Sequence, residues 1–89
     1  MITIYKYTVH PSEESVAMPR DAEILTTAFQ GQELCIWAKI DTETTEHEER
    51  KFKVFGTGHN IPQDMGIMYD FIGTAFMDNG LVFHIFEIE

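Results

Sequence analysis

Gly56, Thr57, Gly58 and His59 place backbone amides unshielded by side chains, a hydroxyl and an imidazole at four consecutive positions. Successive amides of this kind can cradle a phosphate or another anion, which makes these four the candidate binding site for a small anionic ligand. The spacing matches neither a P-loop nor a dinucleotide fingerprint, and no helix clearly follows to add its dipole. The scaffold alternative is that the glycines permit a bulge and a turn while His59 ties the loop together by hydrogen bonding.

Other chemistry-bearing residues are read against bland alternatives in the same way. His59 with Asp64, or with His84, would make an acid–base pair or part of a metal site, since histidine titrates near neutrality and is a common metal ligand. No recognised metal spacing accompanies them, and neither metal nor cofactor is expected. His84 sits in an apolar run and reads as a core histidine satisfied by a hydrogen bond. Cys35, between Leu34 and Ile36, reads as a small buried hydrophobe, because nothing nearby in sequence would activate it as a nucleophile. The adjacent carboxylates Glu13 and Glu14, and Glu48 and Glu49, lack the apolar surroundings that general-acid chemistry needs. No catalytic residue is assigned, and the chain is expected not to be an enzyme.

Two stretches are candidates for partner binding. Asn60, Asp64, Met65 and Tyr69 lie in or after the glycine-flanked loop. Methionine repacks easily and tyrosine adds contact area at little entropic cost, although Met65 and Tyr69 could instead cap one end of the domain. The second stretch is the polar run 42–49, where Glu43, Glu46, Glu48 and Glu49 surround His47. It carries no apolar residue spaced to anchor a helix and is expected as a mobile, solvated loop.

The elements that must position these residues are strands. Residues 2–9 alternate, with Thr3, Tyr5, Tyr7 and Val9 on one face and β-branched or aromatic types throughout. Residues 15–18, closed by Pro19, read as a brief edge strand. Residues 22–29 and 33–41 flank Gln30, Gly31 and Gln32 as a tight hairpin, with Leu34, Ile36, Ala38 and Ile40 forming one apolar face. Residues 50–55 resume strand character. Asn79 and Gly80, between the apolar runs 68–77 and 81–88, are a strong hairpin signal. The last run is apolar on both faces and must be central or interfacial.

The fold class expected is all-β, a small antiparallel sandwich or barrel-like domain of six or seven strands. The alternative is an α+β fold with one short helix over 63–69. Val54-Phe55-Gly56-Thr57 and Phe71-Ile72-Gly73-Thr74 resemble each other; the likeness carries meaning only if their strands prove to be neighbours.

A chain of 89 residues makes one domain and buries only about 60–65% of the surface its unfolded form exposes. Six basic against fifteen acidic residues, a formal charge of −9, argue against binding a phosphate backbone, which needs Lys and Arg to displace counterions. The charge suits a basic partner, or imitation of DNA, or simply keeps a small domain in solution. One cysteine excludes an internal disulfide. The alternating N-terminal stretch is unlike a signal peptide, no run suits a membrane span, and the cytoplasm is the expected compartment.

Met18, Pro19, Ala22, Ile24 and Leu25, the Cys35-x-Trp37-Ala38 strand, Phe55-Gly56-Thr57-Gly58-His59, Ile72-Gly73-Thr74 and Leu81-Val82-Phe83-His84-x-Phe86-Glu87 together resemble a family of small uncharacterised proteins of tailed phages and prophages. The resemblance spans nearly the whole chain. It implies expression in the cytoplasm of an infected bacterium and supplies no reaction or site residue.

The first expectation is therefore a non-enzymatic accessory protein that binds and inhibits a host or anti-phage defence protein. Residues 59–69 would anchor the partner, and the acidic residues would speed encounter. The rival expectations are an oligomer that sequesters a small anionic nucleotide or metabolite at residues 56–59, and an acidic DNA mimic. Homo-oligomerisation is expected separately, from the two-sided apolar character of the last strand.

Overall fold

Alternating side chains become seven strands in the computed structural model, which describes residues 1–10, 15–62 and 69–88. The strands are β1 (Ile2–Val9), β2 (Ser15–Pro19), β3 (Glu23–Gln30), β4 (Glu33–Asp41), β5 (His47–Gly56), β6 (Tyr69–Phe76) and β7 (Val82–Ile88). They form two antiparallel sheets, of order β1-β4-β3 and β2-β5-β7-β6. The sheets do not close into a barrel, and the described residues contain no helix. Most of the segment considered for a helical turn, 63–68, lies outside the described residues; Tyr69 opens β6.

The apolar face of β4 finds its partners by register. Leu34, Ile36, Ala38 and Ile40 lie opposite Val9, Tyr7, Tyr5 and Thr3 of β1, and on the other side Ile24, Thr27 and Phe29 of β3 join the same face. Across the sandwich, Met18, Phe52 and Ile85 meet them, all three fully buried. Each such large apolar side chain contributes about 1.5–3 kcal/mol by leaving water. Cys35, on the opposite face of β4, is also fully buried; its thiol donates to the Glu33 carbonyl at 3.6 Å. Thr27, the buried polar residue of the core, donates its hydroxyl to the Cys35 carbonyl at 2.8 Å.

Turn chemistry sets the hairpins. Between β3 and β4, Gly31 takes φ +61° at the first central position of a two-residue turn, where type II′ geometry asks for glycine. Between β6 and β7 the Asn79-Gly80 signal forms a hairpin, but a longer one than a two-residue turn. The Gly80 amide donates to Met77 O at 3.0 Å and the Met77 amide to Leu81 O at 2.9 Å, while Gly80 adopts φ +89°. This is a turn followed by a left-handed glycine, reinforced by Asn79 Oδ1 accepting from the Leu81 amide at 3.1 Å.

The polar run 42–49 is only partly a loop. His47, Glu48 and Glu49 belong to β5 and pair with Pro19, Met18 and Ala17 of β2. Ladder hydrogen bonds to an edge strand recruit residues whose composition alone suggests a loop. Arg50, next in line, points inward at the end of the sandwich. Its Nε and Nη2 both donate to Glu87, the latter at 2.9 Å to Oε1, and its Nη1 donates to Ala22 O at 2.8 Å. This bidentate pair closes one end of the core.

Candidate functional site

β7 is central in its sheet, with β5 on one side and β6 on the other. One face of β7 supplies Phe83 and Ile85 to the core. The other carries His84 and Phe86, and no second layer of described strands covers it. The two Gly-Thr stretches flank β7: Thr57 follows the end of β5, and Thr74 lies on β6 directly opposite His84. Thr57 Oγ1 is 2.8 Å from His84 Nε2, and Thr74 Oγ1 is 3.0 Å from Nδ1. A neutral imidazole donates from one nitrogen and accepts at the other, so the two hydroxyls satisfy it in either tautomer. His84 is satisfied by hydrogen bonds, as read from the sequence, but on the outer face of the sheet and not in the core.

The glycine-flanked loop folds onto itself. The Thr57 amide donates to Val82 O at 3.1 Å and the His59 amide to Gly56 O at 3.0 Å. The Gly56 amide donates to His59 Nδ1 at 3.3 Å. Three of the four amides read as an anion cradle thus have partners within the fold. The His59 ring lies against Gly56 so closely that a Cβ there would come within 2.8 Å of Cε1. Gly56→Ala is expected to push the imidazole aside and break its bond to the amide, at a cost of about 1 kcal/mol. Chemical-shift changes confined to residues 56–59, with a small fall in thermal midpoint, would show this; an unmoved His59 would contradict it.

Beside this loop the outer face is aromatic. The Phe86 ring packs against Phe71 at 5.2 Å and against Phe55 at 5.9 Å between centroids, the second edge-on. Phe55 is buried, yet Phe71 is 59% exposed, Phe76 further along β6 is 68% exposed, and Ile61 at the loop's end is 45% exposed. Thr57, His84, Phe86 and Ile61 border a shallow groove of about 330 Å3. The phenylalanines escape a pattern search because alternation cannot say which of two apolar faces is covered; the apolar character of both faces of 81–88 was the available signal.

Other sequence-derived candidates fall elsewhere. Glu43, Glu46, Glu48 and Glu49 are exposed at the far end of β5. Seven strand residues separate Glu49 from Thr57 and ten separate Glu46 from it, roughly 25–35 Å at the rise of an extended chain, so the acidic run and residues 59–62 do not make one contiguous surface. The acidic residues also have local partners: Glu46 pairs with Arg20 at 2.7 Å, Glu48 lies 3.7 Å from Arg50, and Glu49 accepts from Ser15. Beside them, the Glu43 amide and then the Met1 amino group hold the Asp41 carboxyl below the usual range. Asn60 is exposed in the loop. Asp64 and Met65 lie outside the described residues, and Tyr69 pairs with Ile88 at the start of β6. Among the described residues, no three His, Cys, Asp or Glu side chains converge as metal ligands would, and no helix is long and apolar enough to cross a membrane.

Fold and site together define a two-sheet antiparallel β-domain with an open aromatic sheet face. The chain belongs to the family described as Domain of unknown function (DUF7352), whose model matches residues 1–89. Neither the curated proteins nor the solved structures contain a significant match.

Proposed function

We propose that this protein works by binding another protein through the outer face of β5, β7 and β6, and that it thereby inhibits a host or anti-phage defence component. The observation that carries this reading is the aromatic group on that face: Phe71, more than half exposed, packed at a tilt against Phe86, with Ile61 exposed nearby. Exposed apolar patches of this kind mark interaction sites, and interface energy concentrates in a few aromatic anchors ringed by polar contacts. Asn60 stands near this patch in sequence. The acidic residues at the other end of β5 act by steering a basic partner, through the net charge of −9, without touching it. The assignment of the partner to host or defence rests on the resemblance to tailed-phage proteins.

The test is capture from the bacterial host with tagged protein, followed by affinity measurement on the isolated pair. Phe71→Ser is expected to weaken the complex about 30-fold, as loss of a hot spot near 2 kcal/mol requires, with little change in thermal midpoint. Ile4→Ser, at a residue 55% exposed on β1 of the other sheet, is expected to leave affinity unchanged. The reverse pattern would move the site to the three-stranded sheet. A second copy of this chain is the rival occupant; sedimentation showing a dimer that Phe71→Ser dissociates would replace the hetero-partner with self-association.

A further inference from the structure

The edges of the two sheets are β1 and β3, and β2 and β6. Three of these strands carry a feature that discourages pairing with a further chain. β2 is short and ends in Pro19. β3 and β6 are each interrupted by a bulge, at Leu25 and at Ile72. They also approach each other closely, since a Cβ on Gly73 would lie 3.2 Å from Thr27 Cγ2. β1 has none of these features. Its register with β4 is unbroken over all eight residues, it contains no proline, and among the described strands none pairs with its other side. Lys6, its one charged residue, turns away from that side: Nζ reaches across β4 and donates to Gln30 Oε1 of β3 at 2.7 Å.

The ladder fixes which backbone groups point to the open edge. The Thr42 amide donates to Met1 O at 2.9 Å, and successive residues of an antiparallel strand direct their N–H and C=O groups to alternate sides. Ile2, Ile4, Lys6 and Thr8 therefore direct theirs away from β4. Ile2, Ile4, Tyr5 and Lys6 are exposed, whereas Thr8 is half-buried and Val9 is buried toward the turn. β1 also holds none of the fifteen acidic residues, so two copies can meet along it without opposing carboxylates. We infer that β1 pairs antiparallel with β1 of a second copy, about a two-fold axis at Ile4, and joins the two three-stranded sheets into one. Ile4 then faces its own counterpart, Ile2 faces Lys6 and Thr3 faces Tyr5, which pairs the open groups of the exposed stretch. An axis at Lys6 would set two ammonium groups opposite each other, and an axis at Tyr5 would require half-buried Thr8 to pair with Ile2. The aromatic face of the other sheet is left free, so the inference goes beyond the protein-binding reading and stands independently of it.

Sedimentation of the full chain across the micromolar range is expected to show a dimer. Ile4→Pro removes an amide that points to the open edge and that β4 does not use, a position where a sheet tolerates proline. It should weaken dimerisation about tenfold or more, because the axis residue and its counterpart each lose a bond, while circular dichroism still reports the folded strands. If that variant fails to fold, cysteine pairing decides. Ile4→Cys should cross-link the dimer on mild oxidation, since residues facing each other in such a pair stand about 5.5 Å apart between Cα atoms, within reach of a disulfide. Tyr5→Cys, displaced along the strand from its counterpart, should not cross-link. Phe71→Ser, on the outer face of the other sheet, should leave the dimer intact. A monomer throughout the micromolar range, a dimer unchanged in folded Ile4→Pro, cross-linking through Tyr5→Cys in place of Ile4→Cys, or dissociation by Phe71→Ser would each overturn the inference.

Discussion

Phe52→Ala is expected to cost about 3–5 kcal/mol, the usual loss when a buried aromatic ring is removed and the cavity only partly collapses. Phe52 is wholly inaccessible and packs in the core with Met18, Ile36 and Ile85. A domain of this size has about 5–15 kcal/mol in total, so the substitution removes a large share, and each kcal/mol lowers the midpoint by roughly 4–8 °C. Phe76→Ala makes the same chemical change at a residue 68% exposed and should cost no more than about 0.5 kcal/mol. Urea titration of both variants measures the difference. Equal losses would mean that the inner and outer faces of the four-stranded sheet have been exchanged.

Glu87→Ala is expected to cost about 2–3 kcal/mol, because it leaves the inward-facing guanidinium of Arg50 without its bidentate acceptor. Both side chains are mostly shielded, at 18% and 16% relative exposure, so water replaces the lost bonds poorly. Two residual partners limit the damage: Ala22 O still accepts from Nη1, and Glu48 lies 3.7 Å away. The double replacement Arg50→Met with Glu87→Leu removes charge and counter-charge together and should recover most of the loss, since well-packed apolar substitutes for a buried pair are often neutral. A double variant whose loss equals the sum of the two singles would show that the groups do not interact. The pair also serves the fold, because it clamps β5 and β7 at the end remote from the glycine-flanked loop.

Much of the architecture was legible as local pattern. The apolar face Leu34, Ile36, Ala38 and Ile40 identified β4, because side chains on a strand alternate whatever it pairs with. Pro19 marked β2 as an edge, since proline cannot donate to a central ladder. The two-sided apolar run at the carboxyl end implied a central or interfacial strand, and β7 is central in its sheet. Gly31 and Gly80 located both hairpins through the φ they permit. The length of the second turn was not legible, because it depends on the bonds between Met77 and Leu81.

The candidate site required the assembled sheets. Residue types alone determined an all-β domain with strong net acidity and a histidine-bearing loop, because periodicity, turn propensity and charge are local properties of the chain. Only the tertiary structure brought Thr57 and Thr74 to opposite sides of His84, set Phe71 and Phe55 around Phe86, placed β1 at the edge of its sheet, and put the acidic run a strand's length from the loop. Those juxtapositions follow from which strands pair and in what register. Pairing between distant segments is selected by the packing of the whole core, so no short stretch of sequence carries it.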